Sequence, residues 1–407
     1  MKFNISKLVI LIIFASSTCL GGFFFLKNQQ EDALFKLHED LLAKNLSQAL
    51  ENETQGWPEV MTSEDDDVYK IVYTFNEELT HYIQKLIKEK AADYTIVTVI
   101  DNNTGNVLSA VGYEREGKRF LSHLPFTSTH PSASLIKIVT AAELLEKGKI
   151  DTESMFAVNG RGSTLYKYQL KDKINRWTRF LTFKNAFALS NNVVFGKAAV
   201  DYLSGNGISK MAKFFGFNTQ LFTEVKMAKS VFNMPEDQYN LAEYASGLNR
   251  DTQISPIHGA LLSAIVANKG VLKYPKVVEK IVDPKTGETV WINPSRQERA
   301  ISNETAVDLE HLMSYTARKG TARSVWDKMQ QSLKKTLIVG GKTGSITGGL
   351  PYGKRDWLTA FAIPENKNDQ GISVCVMNIN KKKWYIKSTY LVRKIIEFYY
   401  SKLSPIN

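Results

Sequence analysis

Three short groups of residues in this chain carry chemistry. Ser134-Leu135-Ile136-Lys137 opens an apolar segment, Ser190-Asn191-Asn192 sits at a helix–loop junction, and Lys342-Thr343-Gly344 follows a strand-like run. A serine hydroxyl is a weak nucleophile and needs a base. On a helix, residues i and i+3 share a face, so Lys137 is within reach of Ser134. Burial disfavours an ammonium, lowers the lysine pKa and turns the amine into a proton acceptor. A serine at a helix start also has backbone N–H groups beside it that lack intrahelical partners, and its own N–H can stabilise an oxyanion. This is the equipment of acyl transfer. Ser190 is suited to relay a proton between Lys137 and a leaving nitrogen. Asn192 offers an amide to a peptide bond of the substrate, and Lys342 a fixed positive charge to a substrate that ends in carboxylate. Thr343, Gly344 and Ser345 complete a substrate-binding wall. Gly344 lets a substrate lie against the strand edge, and Ser345 offers a hydroxyl to the carboxylate and an N–H to the oxyanion.

Each group alone is a weak signal, because the same spacings recur elsewhere. Ser332 and Lys335 repeat the first, Ser204-Gly205-Asn206 the second and Lys285-Thr286-Gly287 the third. Context separates them. Ser332 lies in a lysine-rich polar stretch, and Lys285 follows the Asp283-Pro284 turn signal between short strands. Gly340-Gly341-Lys342-Thr343 suggests a phosphate loop, but Thr336 stands where the first glycine is required.

The elements around these groups follow from apolar periodicity. Leu34, Leu37, Leu41 and Leu42 predict a short helix in the segment 29–55. Residues 56–67 form an acidic, Pro-containing break. Val68, Ile71, Val72, Phe75, Leu79, Tyr82, Ile83 and Leu86 predict an amphipathic helix. Thr95–Ile100 and Val107–Val111 read as a hairpin across Asp101-Asn102-Asn103-Thr104-Gly105. The helix opening at Ser134 is apolar on most sides and is therefore buried. The chain to about Ala317 reads as mainly helical. Thr336–Val339, Trp357–Ile363 and Ile372–Ile379 read as strands, and Tyr390–Tyr400 as a closing helix. The order predicts an α+β fold: an antiparallel five-stranded sheet flanked by helices, with an inserted all-helical lobe.

The chain has 407 residues, 43% of them hydrophobic, which suffices for one large domain and an appendage. Two cysteines exclude a disulfide framework and a cysteine-rich zinc site. The net charge of +11 comes from lysines spread along the chain, with no basic run interleaved with aromatics. A solvated basic surface is expected, and no nucleic-acid partner. Lys2 and Lys7 precede an uncharged run, 8–26, long enough for one membrane crossing. Positive flanks stay in the cytoplasm, so the expectation is a signal-anchor in the cell (inner) membrane with the rest of the chain extracytoplasmic or periplasmic. A cleaved signal peptide is the alternative; apolar character resumes at Phe23, past any cleavage site near Ser16. The expected organisation is 1–28 cytoplasmic stub and anchor, 29–67 membrane-proximal helix and linker, and 68–407 catalytic domain.

Taken together, the three groups resemble the signature of the penicillin-binding protein transpeptidase domain, a member of the serine D-Ala-D-Ala peptidase and β-lactamase-like superfamily. The resemblance runs from about Val68 to Leu403. Thr252-Gln253-Ile254-Ser255-Pro256 and 264–270 look like the family's stretch after the second group. Gly320-Thr321-Ala322 resembles its segment before the third, and Asp356-Trp357-Leu358-Thr359-Ala360-Phe361 the strand after it. The resemblance implies D,D-transpeptidation or D,D-carboxypeptidation of peptidoglycan stem peptides through a Ser134 acyl-enzyme in cell wall synthesis. It further implies inhibition by β-lactams, company from other cell-wall synthesis proteins, and no cofactor or metal. Pro131-Ser132-Ala133 stands where the family usually has Pro-Gly, and Ser345 where threonine is common.

Two rivals come from other classes. A β-lactamase needs a group that activates water; Glu236, four residues before Asn240, resembles that pattern, although Tyr239 replaces leucine. A wall-complex scaffold needs no turnover at all. A Ser-His-Asp hydrolase is disfavoured, since no serine lies in Gly-x-Ser-x-Gly and His123 and His130 are expected on surface loops.

Overall fold

A computed structural model describes residues 34–51, 56–63, 66–365 and 369–406. Its centre is a six-stranded antiparallel sheet. The strands run in the order Leu337–Gly348, Gly353–Pro364, Ile372–Asn380, Tyr94–Asp101, Val107–Glu114 and Arg119–Phe120. The five expected strands are present, and the two-residue Arg119–Phe120 extends the sheet to six. So short an edge strand carries no periodicity to read.

Both faces of this sheet are covered, which is why its inner strands are near-continuous apolar runs. Ile96, Ile100, Trp357, Phe361, Cys375 and Met377 face one core with the helical lobe. Val97, Val99, Leu358, Ala360, Val374 and Val376 face a second core with the helices Glu77–Lys90 and Ser388–Phe398. The helix Pro256–Ala267 is buried along its whole length, as befits one apolar on all sides. Thr98 donates to Pro256 O (3.1 Å), and Ser263 Oγ lies 2.7 Å from Thr359 Oγ1, locking this helix to the sheet.

Two expectations change. The helix expected from Val68 is a strand, Val68–Tyr73, followed by the helix Glu77–Lys90 capped by Asn76 Oδ1 on Leu79 N (2.8 Å). The run Val-Tyr-Lys-Ile-Val-Tyr is β-branched and aromatic. It pairs with Val278–Val282, a partner some two hundred residues away that local periodicity does not register. The chain between Ser134 and Ala317 also holds strands, among them Val271–Lys273, Val278–Val282, Thr289–Ile292 and Gln297–Arg299, so the insert is not all helical. Finally, the helix over 34–51 buries Leu42, Leu46 and Leu50, while Leu34 and Leu37 are exposed. Phe35 meets Trp291, His38 meets Tyr69 edge-on, and Val60–Thr62 pairs with Val68–Tyr73. The helix expected in 29–55 is present over 34–51, and it and the strand Val60–Thr62 pack against the body of the molecule. Among the described residues no helix is long and apolar enough to cross a membrane; the run 8–26 lies outside them.

Candidate active site

The three groups meet in one cleft of about 850 Å³, whose walls include Ser134, Ser190, Asn192, Thr343, Gly344 and Ser345. Ser134 lies on a 3₁₀ turn, Ala133–Ile136, that runs into the helix Lys137–Glu146. Lys137 points back under it. Its Nζ donates to Ser134 Oγ (2.8 Å), Asn192 Oδ1 (2.7 Å) and Ser246 O (2.6 Å), and it sits 5.4 Å from the Phe195 ring centroid. The lysine is fully buried with no carboxylate among these partners. Burial first, and the charge of Lys342 second, hold its pKa well below that of an ordinary lysine. Lys137 is thereby disposed to give up a proton, which would leave its lone pair toward Ser134 Oγ and its two N–H groups on Asn192 Oδ1 and Ser246 O.

Lys342 is also fully buried, on the edge strand of the sheet. Its Nζ donates to Ser190 Oγ (2.9 Å) and Thr343 O (3.0 Å), above the Phe187 ring. Burial pushes its pKa down to about 7. The fixed charge expected here is thus a charge that titrates near neutrality and that an incoming carboxylate stabilises. Ser190 was expected beside Lys137 but bonds to Lys342. Asn192, whose amide is expected to meet substrate, lines the cleft; its Oδ1 accepts from Lys137 and its Nδ2 donates one hydrogen to Ser163 O (2.9 Å). Its visible task is to hold the lysine. Thr343 Oγ1 lies 2.6 Å from Thr321 Oγ1, and Ser345 is exposed at the cleft. A Cβ on Gly344 would stand 3.2 Å from Ala133 Cβ and 3.3 Å from Ser134 N, so the strand approaches the nucleophile turn itself there. Among the described residues the strand of Lys342 has one unpaired edge, onto which an extended peptide can add.

The wider sequence signals position this turn. His130–Pro131 pairs with Gln253–Ile254, and Ser132 N donates to Thr252 O (2.9 Å). Trp357 Nε1 donates to Pro131 O (3.1 Å). Thr321 N donates to Ala188 O (3.0 Å), tying the 320–322 segment to the turn that carries Ser190. His130 is buried, not on the surface; Arg355 Nη2 donates to its Nδ1 (3.1 Å) and to Pro351 O (2.8 Å). Burial, helped by the guanidinium, pulls the imidazole down to about 3, so it stays neutral and braces the approach to Ser134. Sequence reasoning missed the Ser246 carbonyl, because a backbone acceptor has no side-chain signature. The readable trace is Gly247, the left-handed cap that ends the helix Gln238–Ser246.

The look-alike spacings fall elsewhere. Ser204 caps the helix Gly205–Phe214, Lys285 pairs with Asp67 on the surface (3.1 Å), and Ser332 lies on the short helix Gln331–Lys334. Glu236 is exposed and away from the cleft walls. Ala133 and Ser190 adopt positive φ, +48° and +57°. Left-handed backbone costs a non-glycine residue about 1–2 kcal/mol. Ala133→Gly should therefore change stability by no more than about 0.5 kcal/mol, since relief of that strain offsets the lost methyl and the freer unfolded chain. Denaturant unfolding measures this; a loss above about 2 kcal/mol would mean that the methyl, not the backbone, matters.

The family model described as penicillin binding protein transpeptidase domain matches residues 95–397. Peptidoglycan D,D-transpeptidase PbpA of Mycobacterium tuberculosis is 24% identical over 271 residues, covering 63% of this chain and 52% of that protein. Stage V sporulation protein D of Bacillus subtilis is 24% identical over 230 residues, covering 55% and 34%. The chain spans about half the length of the PbpA relatives it matches. Among solved structures, the D,D-transpeptidase domain of a peptidoglycan glycosyltransferase from Eggerthella lenta superposes with a TM-score of 0.66 at 19% identity, covering 83% of this chain and 84% of that one. Penicillin-binding protein A from M. tuberculosis, solved as a ceftriaxone acyl-enzyme, superposes with a TM-score of 0.61 at 19% identity, covering 81% and 79%.

Proposed function

We propose that this chain, which belongs to the penicillin-binding protein transpeptidase domain family, is a serine D,D-transpeptidase acting on peptidoglycan stem peptides that end in D-Ala-D-Ala. The observation that carries the reading is the 2.8 Å contact between the buried Lys137 Nζ and Ser134 Oγ. A neutral amine there takes the hydroxyl proton as Oγ attacks the penultimate carbonyl. The oxyanion is met by the N–H of Ser134, with Ser345 N–H on the facing strand as second donor. Ser190, charged through Lys342, hands a proton to the departing amine. Lys342, Thr343 and Ser345 receive the terminal carboxylate. The acyl-enzyme then passes to an amine. Water is the competing acceptor and would give carboxypeptidase activity. The one acid on the cleft walls, among the described residues, is Asp356, and it is occupied by Ser388 N (2.7 Å). This supports slow deacylation rather than β-lactamase turnover.

We further propose that the run 8–26 anchors the chain in the cell membrane with the cleft outside the cytoplasm, among other wall-building proteins. The test of the central reading is a fluorescent penicillin. The expected result is one adduct per chain, stable over minutes and mapped to the peptide that contains Ser134. Absence of an adduct on folded protein, or an adduct on another residue, would sink the assignment; release within seconds would favour a β-lactamase.

A further inference from the structure

The cleft does not end at Ser345. The register Ser345↔Asp356 and Asp356↔Asn378 carries its wall across two strands to the segment that follows Asn380. There a second basin of about 680 Å³ opens, sharing Ser324, Trp384, Lys387 and Thr389 with the cleft. Its other walls include Lys90, Lys328, Tyr390 and Arg393. Arg393 is neutralised by Glu397 (3.0 Å) and also donates to Lys328 O (3.1 Å). The three lysines are different. Lys90 lies over Tyr390 (5.2 Å) and Lys387 over Trp384 (5.4 Å). None of the three has a carboxylate in ion-pair contact among the described residues. Asp356, on the cleft side, feels Lys387 at longer range and accepts Ser388 N–H. Trp384 and Tyr385 are 37% and 39% exposed. The basin thus combines uncompensated positive charge with a flat aromatic wall.

We infer that this basin is a subsite for a carboxylate carried by the acyl acceptor. The inference rests on the Ser134 acyl-transfer reading. By microscopic reversibility the attacking amine occupies the position the leaving amine vacated. Its nitrogen bonds to the acyl carbon as the bond from that carbon to Ser134 Oγ breaks; the amine proton passes through Ser190 to Lys342, and Oγ takes back the proton that Lys137 removed from it. The body of the acceptor must then leave the cleft on the leaving-group side, past Ser345 and Asp356, toward Trp384. Lys90, Lys328 and Lys387 suit a carboxylate there, and Trp384 suits the aliphatic stretch beside it.

The experiment uses the full purified chain and a small thioester donor that acylates Ser134. Two acceptors compete: a peptide amine with a free C-terminal carboxylate, and its amide. The parent should favour the carboxylate about tenfold, the equivalent of some 1.4 kcal/mol from several partly exposed charge pairs. The double variant Lys90→Gln, Lys328→Gln should reduce this to about twofold while labelling with fluorescent penicillin stays unchanged, and 0.5 M salt should do the same to the parent. Equal use of both acceptors by the parent, or a preference that survives the double substitution, overturns the subsite and leaves the Ser134 reading intact. Loss of binding to anionic vesicles with the acceptor preference retained would assign the basin to a lipid headgroup instead. A parent that is not acylated at all overturns both readings.

Discussion

Replacing Lys137 by methionine is expected to lower acylation by a carboxylate-bearing donor at least about a thousandfold, within the range that a positioned general base supplies. Methionine fills much of the same volume and brings no charge into a site that is fully buried, so the fold should survive. The pH profile gives the sign. Lys137 acts as the neutral amine, so acylation should fall as pH drops through its depressed pKa. Lys342 acts as the cation, and in the empty cleft it loses its proton near pH 7. Capture of a carboxylate should therefore weaken above that pH, giving a bell. With a thioester donor that lacks the carboxylate, and whose thiolate leaves without a proton from Ser190, only the acidic limb should remain. Second-order acylation constants between pH 5 and 9 decide the matter. A variant within tenfold of the parent, or a flat parent profile, would remove Lys137 from the role of base.

The second large effect is expected at Gly247, a position with no chemistry of its own. Its φ is +73°, and a Cβ there would lie 2.0 Å from Ala133 O and 2.5 Å from Ala133 C. Both atoms are backbone of the nucleophile turn and have no rotamer to escape into. Gly247→Ala must therefore push the turn and Ser134 with it, while also moving the Ser246 carbonyl that holds Lys137. A displacement of about 1 Å at a reacting atom costs on the order of a hundredfold in rate. Acylation should fall by at least that factor, with a loss of about 2–4 kcal/mol in stability. Gly148→Ala is the control. Its φ is +59° with nothing within 4 Å of the added Cβ, so it feels the backbone strain alone. It should lose about 1 kcal/mol and acylate normally. Equal behaviour of the two variants would show that the clash at Ala133 is relieved without cost.

The meeting of Ser134, Lys137 and the strand of Lys342 was legible because each combines a residue pattern with an element that local periodicity identifies. The buried helix after Ser134 and the apolar runs at Trp357 and Ile372 needed no knowledge of partners. What was not legible depends on pairing across long separations. Val68–Tyr73 scores as part of a helix until Val278–Val282 is placed beside it. The same holds inside the site. The types of Ser190 and Asn192 are readable, but not that Ser190 turns to Lys342 while Asn192 is held by Lys137 and Ser163. Those choices are set by the positive φ at Ser190 and by the meeting of elements 29, 55 and 152 residues apart. His130 shows the converse. Its neighbours in sequence look like a loop, and only the pairing with Ile254 and the contact with Arg355 make it a brace.

The helix over 34–51 makes this protein a lever, not a leash. A flexible connection of n residues lets its load wander over about 5–6 Å × √n. Here the connection is a rod about 27 Å long. Leu42, Leu46 and Leu50 are sunk in the main core, and Lys226 N donates to Ser47 Oγ (3.0 Å). Residue 34 is therefore held in a set orientation relative to the cleft. A pull applied at residue 34 reaches the cleft through the packed core, with no flexible joint within 34–51 to absorb it.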